Sequence, residues 1–310
     1  MRTTPVRLTA AAVASVLTLG VLPAWAVADT PAQPPGVTAP QHERSADTVH
    51  RIALQGAVNV RDLGGYRTGL GQHVRYGQVF RADGLGKLTD ADVAKLSALH
   101  LRTVVDFRVP LEVQREGADR LPAGLSATSR SVNDLGLYEK TMAAIGTKDP
   151  AKQQELLGDG KAEELMRSIY RNFVTTKENR ERFAQTLRDI ADHDQSPLLY
   201  HCTSGKDRTG WLSYLLLRAV GVPDRTATGD YLLSNELRAE ADRNTREALK
   251  NAGLMQNPDL LIPLQEVRED YLRAALHQAE QDYGSLDGYL RKGLGLDTAT
   301  LVKLSARLVR

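Results

Sequence analysis

The chain has 310 residues, 42% of them hydrophobic, which allows one large domain or two small ones with a sizeable core. The formal net charge is only +2, and the first 28 residues carry two arginines and no acidic group, so the remainder is balanced at 38 basic and 38 acidic residues and nothing pulls it toward nucleic acid. A single cysteine excludes any internal disulfide, and seven scattered histidines give no metal-ligand spacing.

Residues 1–28 read as an export signal. Arg2 and Arg7 form a basic start, Leu8 to Leu22 an apolar centre, and Ala26-Val27-Ala28 a small-residue cleavage site, with Ala24-Trp25-Ala26 as a second choice. The arginines are not adjacent, so a twin-arginine signal is not supported. Pro23 interrupts the apolar stretch, which favours cleavage and a secreted product over a stable membrane anchor. Residues 29–48 are rich in Pro, Ala, Gln and Thr and too poor in large apolar groups to fold, so they are expected to be a disordered leader before a folded domain over 49–310.

The folded part opens with an expected strand from Ile52 to Val60 and a turn at Asp62-Leu63-Gly64-Gly65, where Asp62 is expected to satisfy backbone amides. Gln78 to Arg81 reads as a second strand that delivers Asp83 to a loop. Thr89 is an N-cap for a helix over Asp90 to His100, with Val93, Leu96 and Leu99 at helical spacing. Leu101 to Phe107 then reads as a buried strand closed by Asp106 and Arg108, which are expected to pair with each other or with loop amides. This helix-to-strand alternation favours an α/β fold with a central, mostly parallel sheet flanked by helices.

Residues 117–160 mix Gly, Pro, Ser and charge around a strand at Ser126 to Val132, and Asn133 to Tyr138 are placed near a pocket rim. Two core-facing helices follow between Lys161 and His193, marked by Leu165, Ile169 and Phe173 and then by Phe183, Leu187 and Ile190. After Gly221 a helical C-terminal block runs over Thr226 to Asn251 and Leu264 to Tyr283, and Ser285 and Asp297 look like caps of two short final helices.

Between these halves lies the stretch with the most chemistry in it. Leu198 to Tyr200 has strand character, His201 to Asp207 is a polar loop, and a helix runs from about Arg208 to Gly221. The loop amides, with Gly205 free to take positive φ, can curl around an anion at the positive end of the helix dipole. Arg208 can grip two phosphate oxygens at once. Cys202 sits at the focus of these donors, which favour its thiolate, a nucleophile for phosphorus. A nucleotide P-loop is disfavoured because Asp207, not Ser or Thr, follows Gly205-Lys206. A cysteine protease would leave Arg208 unexplained, and a non-catalytic phosphate-binding module would leave Cys202 unexplained.

The run His201-Cys202-Thr203-Ser204-Gly205-Lys206-Asp207-Arg208-Thr209-Gly210 resembles the active-site loop of the cysteine-dependent protein tyrosine phosphatases. Its longer form is similar to the bacterial subgroup typified by mycobacterial protein tyrosine phosphatase B. Asn59 to Tyr66, Phe80 to Asp83, Val104 to Arg108 and Asp230 to Asn235 match that subgroup in kind. The resemblance implies a protein tyrosine phosphatase-like fold and a cofactor-free hydrolase acting on phosphorylated protein or phosphoinositide through a phosphocysteine. In that scheme Cys202 is the nucleophile and Arg208 the clamp. Thr203, Ser204, Gly205, Lys206 and Thr209 hold the phosphate, with the Thr209 hydroxyl donating to the sulfur. Asp207 is the general acid, Asp83 the alternative and Asp62 a third choice. His201 is expected to orient the loop, Lys206 to touch substrate at the mouth, and the C-terminal helices to form a lid or a wall.

Overall fold

The computed structural model describes residues 49–310, so the expected export signal and leader lie outside the described residues. Six strands form one sheet in the order β1-β2-β3-β6-β4-β5. They are β1 (His50–Arg51), β2 (Arg61–Asp62), β3 (Val79–Ala82), β4 (Thr103–Asp106), β5 (Ala127–Ser129) and β6 (Leu198–His201). β3, β6, β4 and β5 run parallel, while β1 and β2 add antiparallel pairs at one side. The central strands are buried along their whole length, as expected where helices cover both faces.

Alternate residues of these strands feed two cores, following the period of two in a strand. Phe80, Ala82, Val104 and Leu199 pack with Leu96 in a small core under α1 (Asp90–Ser97). Val79, Val105, Leu198 and Tyr200 face a much larger core built with the remaining helices. Thr89 caps α1 in a full capping box, its hydroxyl accepting from the Asp92 amide while the Asp92 carboxylate accepts from the Thr89 amide. The helix stops at Ser97, short of the expected His100, which takes a left-handed φ of 50°.

The expected strand over Ile52 to Val60 does not form; only β1 lies next to it. Four of its amides donate to side chains instead of a ladder. Asp92 accepts from the amides of Gln55 and Gly56 at 2.8 and 2.9 Å, and Asp83 accepts from those of Val58 and Asn59, both at 3.1 Å. Carboxylates that capture successive amides offer the backbone an alternative to pairing.

Past β4 come α2 (Pro110–Glu116), α3 (Leu137–Gly146) and α4 (Pro150–Leu157). α3 and α4 occupy the stretch that looked irregular in sequence. The two striped helices are α5 (Lys161–Thr175), burying Ile169, Tyr170 and Phe173, and α6 (Lys177–Ala191), burying Phe183, Leu187 and Ile190. α7 (Arg208–Ala219) starts at the end of the loop, and α8 (Asp224–Asn251) turns back across it. The rest is α9 (Ile262–Gln265), α10 (Glu269–Tyr283), a short α11 (Leu286–Gly288) and α12 (Thr298–Leu308). Ser285 and Asp297 cap α11 and α12 as expected.

Candidate active site

The register of β6 aligns His201 with Ala82 of β3 and Asp106 of β4. Cys202 therefore leaves the sheet at the carboxyl ends of three parallel strands, where open α/β sheets place their ligands. It is 2% exposed and lines a cavity of about 300 Å³ together with Thr203, Ser204, Lys206, Asp207 and Arg208. Gly205 has φ +64°, and a Cβ there would stand 2.5 Å from the Ala82 carbonyl oxygen and 2.6 Å from the Asp83 nitrogen. Only glycine fits that turn.

The loop carbonyls are bound from behind. Arg81 Nη2 donates to the Gly205 oxygen at 2.8 Å, and Asn59 Nδ2 donates to the oxygens of Ser204 and Gly205 at 3.1 and 3.0 Å. Asn59 and Arg81 are themselves held through Arg61 and Asp230. Arg61 donates to Asn59 Oδ1 and Asp230 Oδ1, and Arg81 donates to Asp230 Oδ2. By contrast, the amides of residues 203–207 donate to no group among the described residues. Unpaired amides in the loop that follows the thiol are donors available to an anion.

Arg208 meets Glu112 of α2 in a two-pronged pair, Nη1 to Oε2 and Nη2 to Oε1, both at 2.6 Å. Glu112 also accepts from the Thr203 hydroxyl and, at 2.7 Å, from the Val109 amide. Burial alone would push the Glu112 carboxyl up, but Arg208 and these donors hold it below its ordinary range. Burial likewise opposes the charge on Arg208, and Glu112, Cys202 and Asp134 outweigh it and keep the guanidinium firmly protonated. A second guanidinium comes from α8. Arg238 donates to Asp242 at 2.6 Å and reaches the Ser204 carbonyl at 3.4 Å and Asp83 at 3.5 Å. Glu112 and Arg238 were not singled out from the sequence, whereas Asp134 belongs to the 133–138 stretch expected near the rim, of which Asp134, Leu137 and Tyr138 line the cavity; the local signal for Glu112 was the Pro110-Leu111-Glu112 start of a helix directly after Arg108.

The carboxyl groups around the cavity differ in their partners. Asp207 accepts from Lys206 Nζ on both oxygens, at 3.1 and 2.9 Å, and from the Tyr170 hydroxyl at 3.0 Å. Lys206 is 3% exposed and also donates to the Glu266 carbonyl, so it is neither a solvated lysine nor a free cation at the mouth. Asp83 lines the cavity, yet both its oxygens are taken by backbone amides. Asp62 accepts from the amides of Gly64 and Gly77 away from the cavity, the turn role expected for it. Asp134 is 3% exposed, lines the cavity 3.7 Å from Arg208, and burial pushes its carboxyl up. The buried Thr209 hydroxyl has no hydrogen-bond partner among the described residues.

Behind the loop, His201 Nε2 lies 2.9 Å from Asp119 Oδ2, with Asp106 nearby. Arg108 donates to both Asp106 oxygens and to Asp119, so a guanidinium already faces both carboxylates of this cluster. His201 is fully buried there and anchors the strand end rather than facing the cavity. The cavity lining also includes Ala241 and Thr245 of α8, Leu264 of α9, and Leu137, Tyr138 and Met142 of α3.

The chain is 33% identical over 252 residues to a Cupriavidus necator protein provisionally named a tyrosine-protein phosphatase, covering 81% of this chain and 87% of that one. It is 31% identical over 278 residues to the triple specificity protein phosphatase PtpB of Mycobacterium tuberculosis, covering 83% and 98%. The crystal structure of P. aeruginosa TpbA covers 68% of this chain and 98% of its own, at 16% identity and a TM-score of 0.32. With residues 52–310 matching the model of the tyrosine phosphatase family, the chain belongs to that family and is a phosphoric monoester hydrolase.

Proposed function

We propose that the protein is an exported phosphatase that hydrolyses phosphotyrosine, and other esters carrying one phosphate, through a phosphocysteine intermediate. The observation that carries this reading is that the amides of residues 203–207, between Cys202 and Arg208 in the lining of one cavity, donate to no group among the described residues. The Cys202 thiolate attacks phosphorus in line and the P–O bond to the organic group breaks. The departing oxygen takes a proton from a carboxylic acid of the site; Asp207 is the carboxyl that the loop motif suggests. Water then attacks the phosphocysteine and gives its proton to the same carboxylate. Inorganic phosphate and the thiolate are released. The loop amides and Arg208 stabilise the equatorial oxygens throughout, and Thr209, with its hydroxyl unpaired, can donate to the sulfur as it leaves.

The cavity lining supports an aromatic phosphate ester. Three of its cations are paired, Lys206 with Asp207, Arg208 with Glu112 and Arg238 with Asp242, and most of its lining surface is apolar. That suits the ring of a phosphotyrosine, while Lys87, exposed in the same lining and without an ion pair among the described residues, leaves a cation for a further acidic group of the substrate. The name of the M. tuberculosis relative speaks of three specificities, which favours a broad substrate panel. Export rests on the basic, apolar and small-residue pattern of residues 1–28; N-terminal sequencing of protein from culture medium is expected to begin at Asp29.

The central test is Cys202→Ser. We expect turnover of phosphotyrosine peptides to fall to background while binding of the peptide survives. A wild-type protein that binds phosphate esters without turning them over would make it the non-catalytic phosphate-binding module and overturn the reading.

A further inference from the structure

Asp134 was not among the residues that the loop motif points to, and its position invites a catalytic assignment. It lies between β5 and α3, in the cavity that holds Cys202 and Arg208. Its carboxylate oxygen Oδ2 is 3.7 Å from Arg208 Nη1, and Oδ1 accepts a long bond, 3.3 Å, from the Leu137 amide. No other side chain donates to it among the described residues. Burial pushes this carboxyl up, with the Glu112 charge acting in the same direction and Arg208 opposing both. Asp207 and Asp83 are held by more donors: three contacts engage the first, from an ammonium and a phenol, and two backbone amides with Arg238 engage the second.

The neighbourhood decides what a proton held there would reach. The residues that follow Asp134 on α3, Leu137, Tyr138 and Met142, form one apolar wall of the cavity. Arg208 belongs to the floor that takes the phosphate. Asp134 therefore stands at the seam between floor and wall. An ester whose phosphate sits in the loop and whose organic group packs on α3 has its bridging oxygen at that seam.

We propose that Asp134 is the group that protonates the leaving oxygen, and that Asp207 is a positioning residue. This rests on the phosphatase reading above. As the Cys202 sulfur bonds to phosphorus and the P–O bond breaks, the carboxylic acid of Asp134 gives its proton to the departing oxygen and becomes a carboxylate. When water attacks the phosphocysteine, that carboxylate takes the water proton, the S–P bond breaks, and the thiolate and inorganic phosphate are regenerated with Asp134 protonated again. No other reactant is needed. Asp207, tied to Lys206 and Tyr170, holds the start of α7 and the Lys206 side chain in place.

The test compares wild type, Asp134→Asn and Asp207→Asn on two substrates: a phosphotyrosine peptide, whose leaving oxygen needs a proton, and an aryl phosphate whose phenol is acidic enough to leave without one. For Asp134→Asn we expect kcat/KM on phosphotyrosine to fall by about 10² to 10³, the range of general acid catalysis, and by less than about tenfold on the activated ester. Asp207→Asn is expected to lose by a similar factor on both. Inhibition by vanadate, which occupies the loop without a leaving group, is expected to stay within about threefold of wild type in Asp134→Asn, showing that Arg208 and the loop are intact. An equal loss on both substrates in Asp134→Asn, a collapse of its vanadate inhibition, or the substrate-dependent loss appearing in Asp207→Asn would overturn the assignment. An inactive wild type would overturn the phosphatase reading with it, whereas an active wild type beside a failed Asp134 series overturns this assignment alone.

Discussion

Replacing Asp230 with Ala removes the acceptor shared by Arg61 Nε at 2.7 Å, Arg81 Nη1 at 2.5 Å and the Tyr66 hydroxyl at 2.9 Å, all of them buried. Burial alone would raise the Asp230 carboxyl, but the two guanidiniums dominate and lower it from 3.8 to about 2. That depression corresponds to about 2 kcal/mol of stability for the charged form. Because the folded value lies below the unfolded one, this contribution is complete above about pH 4 and is lost as the pH falls toward 2. The alanine variant loses more, since two buried guanidiniums keep their desolvation and lose their partner; breaking such a pair costs about 3–5 kcal/mol, out of a total of about 5–15 kcal/mol for a folded domain. Urea unfolding at pH 7 measures it as a drop in midpoint at unchanged slope. Asp230→Asn is expected to cost less, and its gap from wild type should close by about 2 kcal/mol as the pH is lowered from 5 to 2. An alanine variant within about 1 kcal/mol of wild type, the level expected of an exposed ion pair, would refute the reasoning.

Three further outcomes are expected. Glu112→Gln keeps one acceptor but loses the charge and one of the two prongs on Arg208, so kcat/KM should fall by about 10- to 100-fold, as expected for losing a charge-assisted bond, with vanadate inhibition weakened in parallel; steady-state kinetics within threefold of wild type would count against it. Gly205→Ala forces a Cβ against the Ala82 carbonyl at a left-handed φ, and should abolish most activity while lowering the melting temperature; an active, stable variant would show that the turn can relax. Tyr170→Phe removes the donor to Asp207 and the acceptor of the Tyr231 hydroxyl at 2.8 Å, which should cost about 1–2 kcal/mol in urea unfolding, the usual penalty for a broken buried hydrogen bond.

The helices with clear apolar stripes, α5 and α6, and the strand-loop-helix around Cys202 were legible because each is specified within a few residues. So was the Thr89 cap. The failures share a cause, which is that the deciding partner is remote. Residues 52–60 carry apolar groups that suggest a strand, and only the folded chain brings Asp83 and Asp92 to their amides. Lys206 looked like a cation at the mouth until Asp207 and the Glu266 carbonyl closed around it. Glu112 reaches Arg208 across 96 positions of sequence, a separation over which no periodicity carries information. The segments Asn59 to Tyr66, Phe80 to Asp83 and Asp230 to Asn235 lie far apart in sequence, and they meet through Arg61, Arg81 and Asp230 as the support of the loop.

The unequal thickness of the two layers over the sheet also matters for how the protein fails. On one side a single helix and the 52–60 segment cover Phe80, Val104 and Leu199; on the other stands a deep stack of helices. The thin side is the one that carries Asn59 and Asp83, which brace the phosphate-binding turn. Partial opening there loosens the brace before the thick side gives way. Warming or mild denaturant should therefore silence the chemistry while most of the helical signal is still present, so a spectroscopic melting curve would overstate the temperature range in which the molecule is useful.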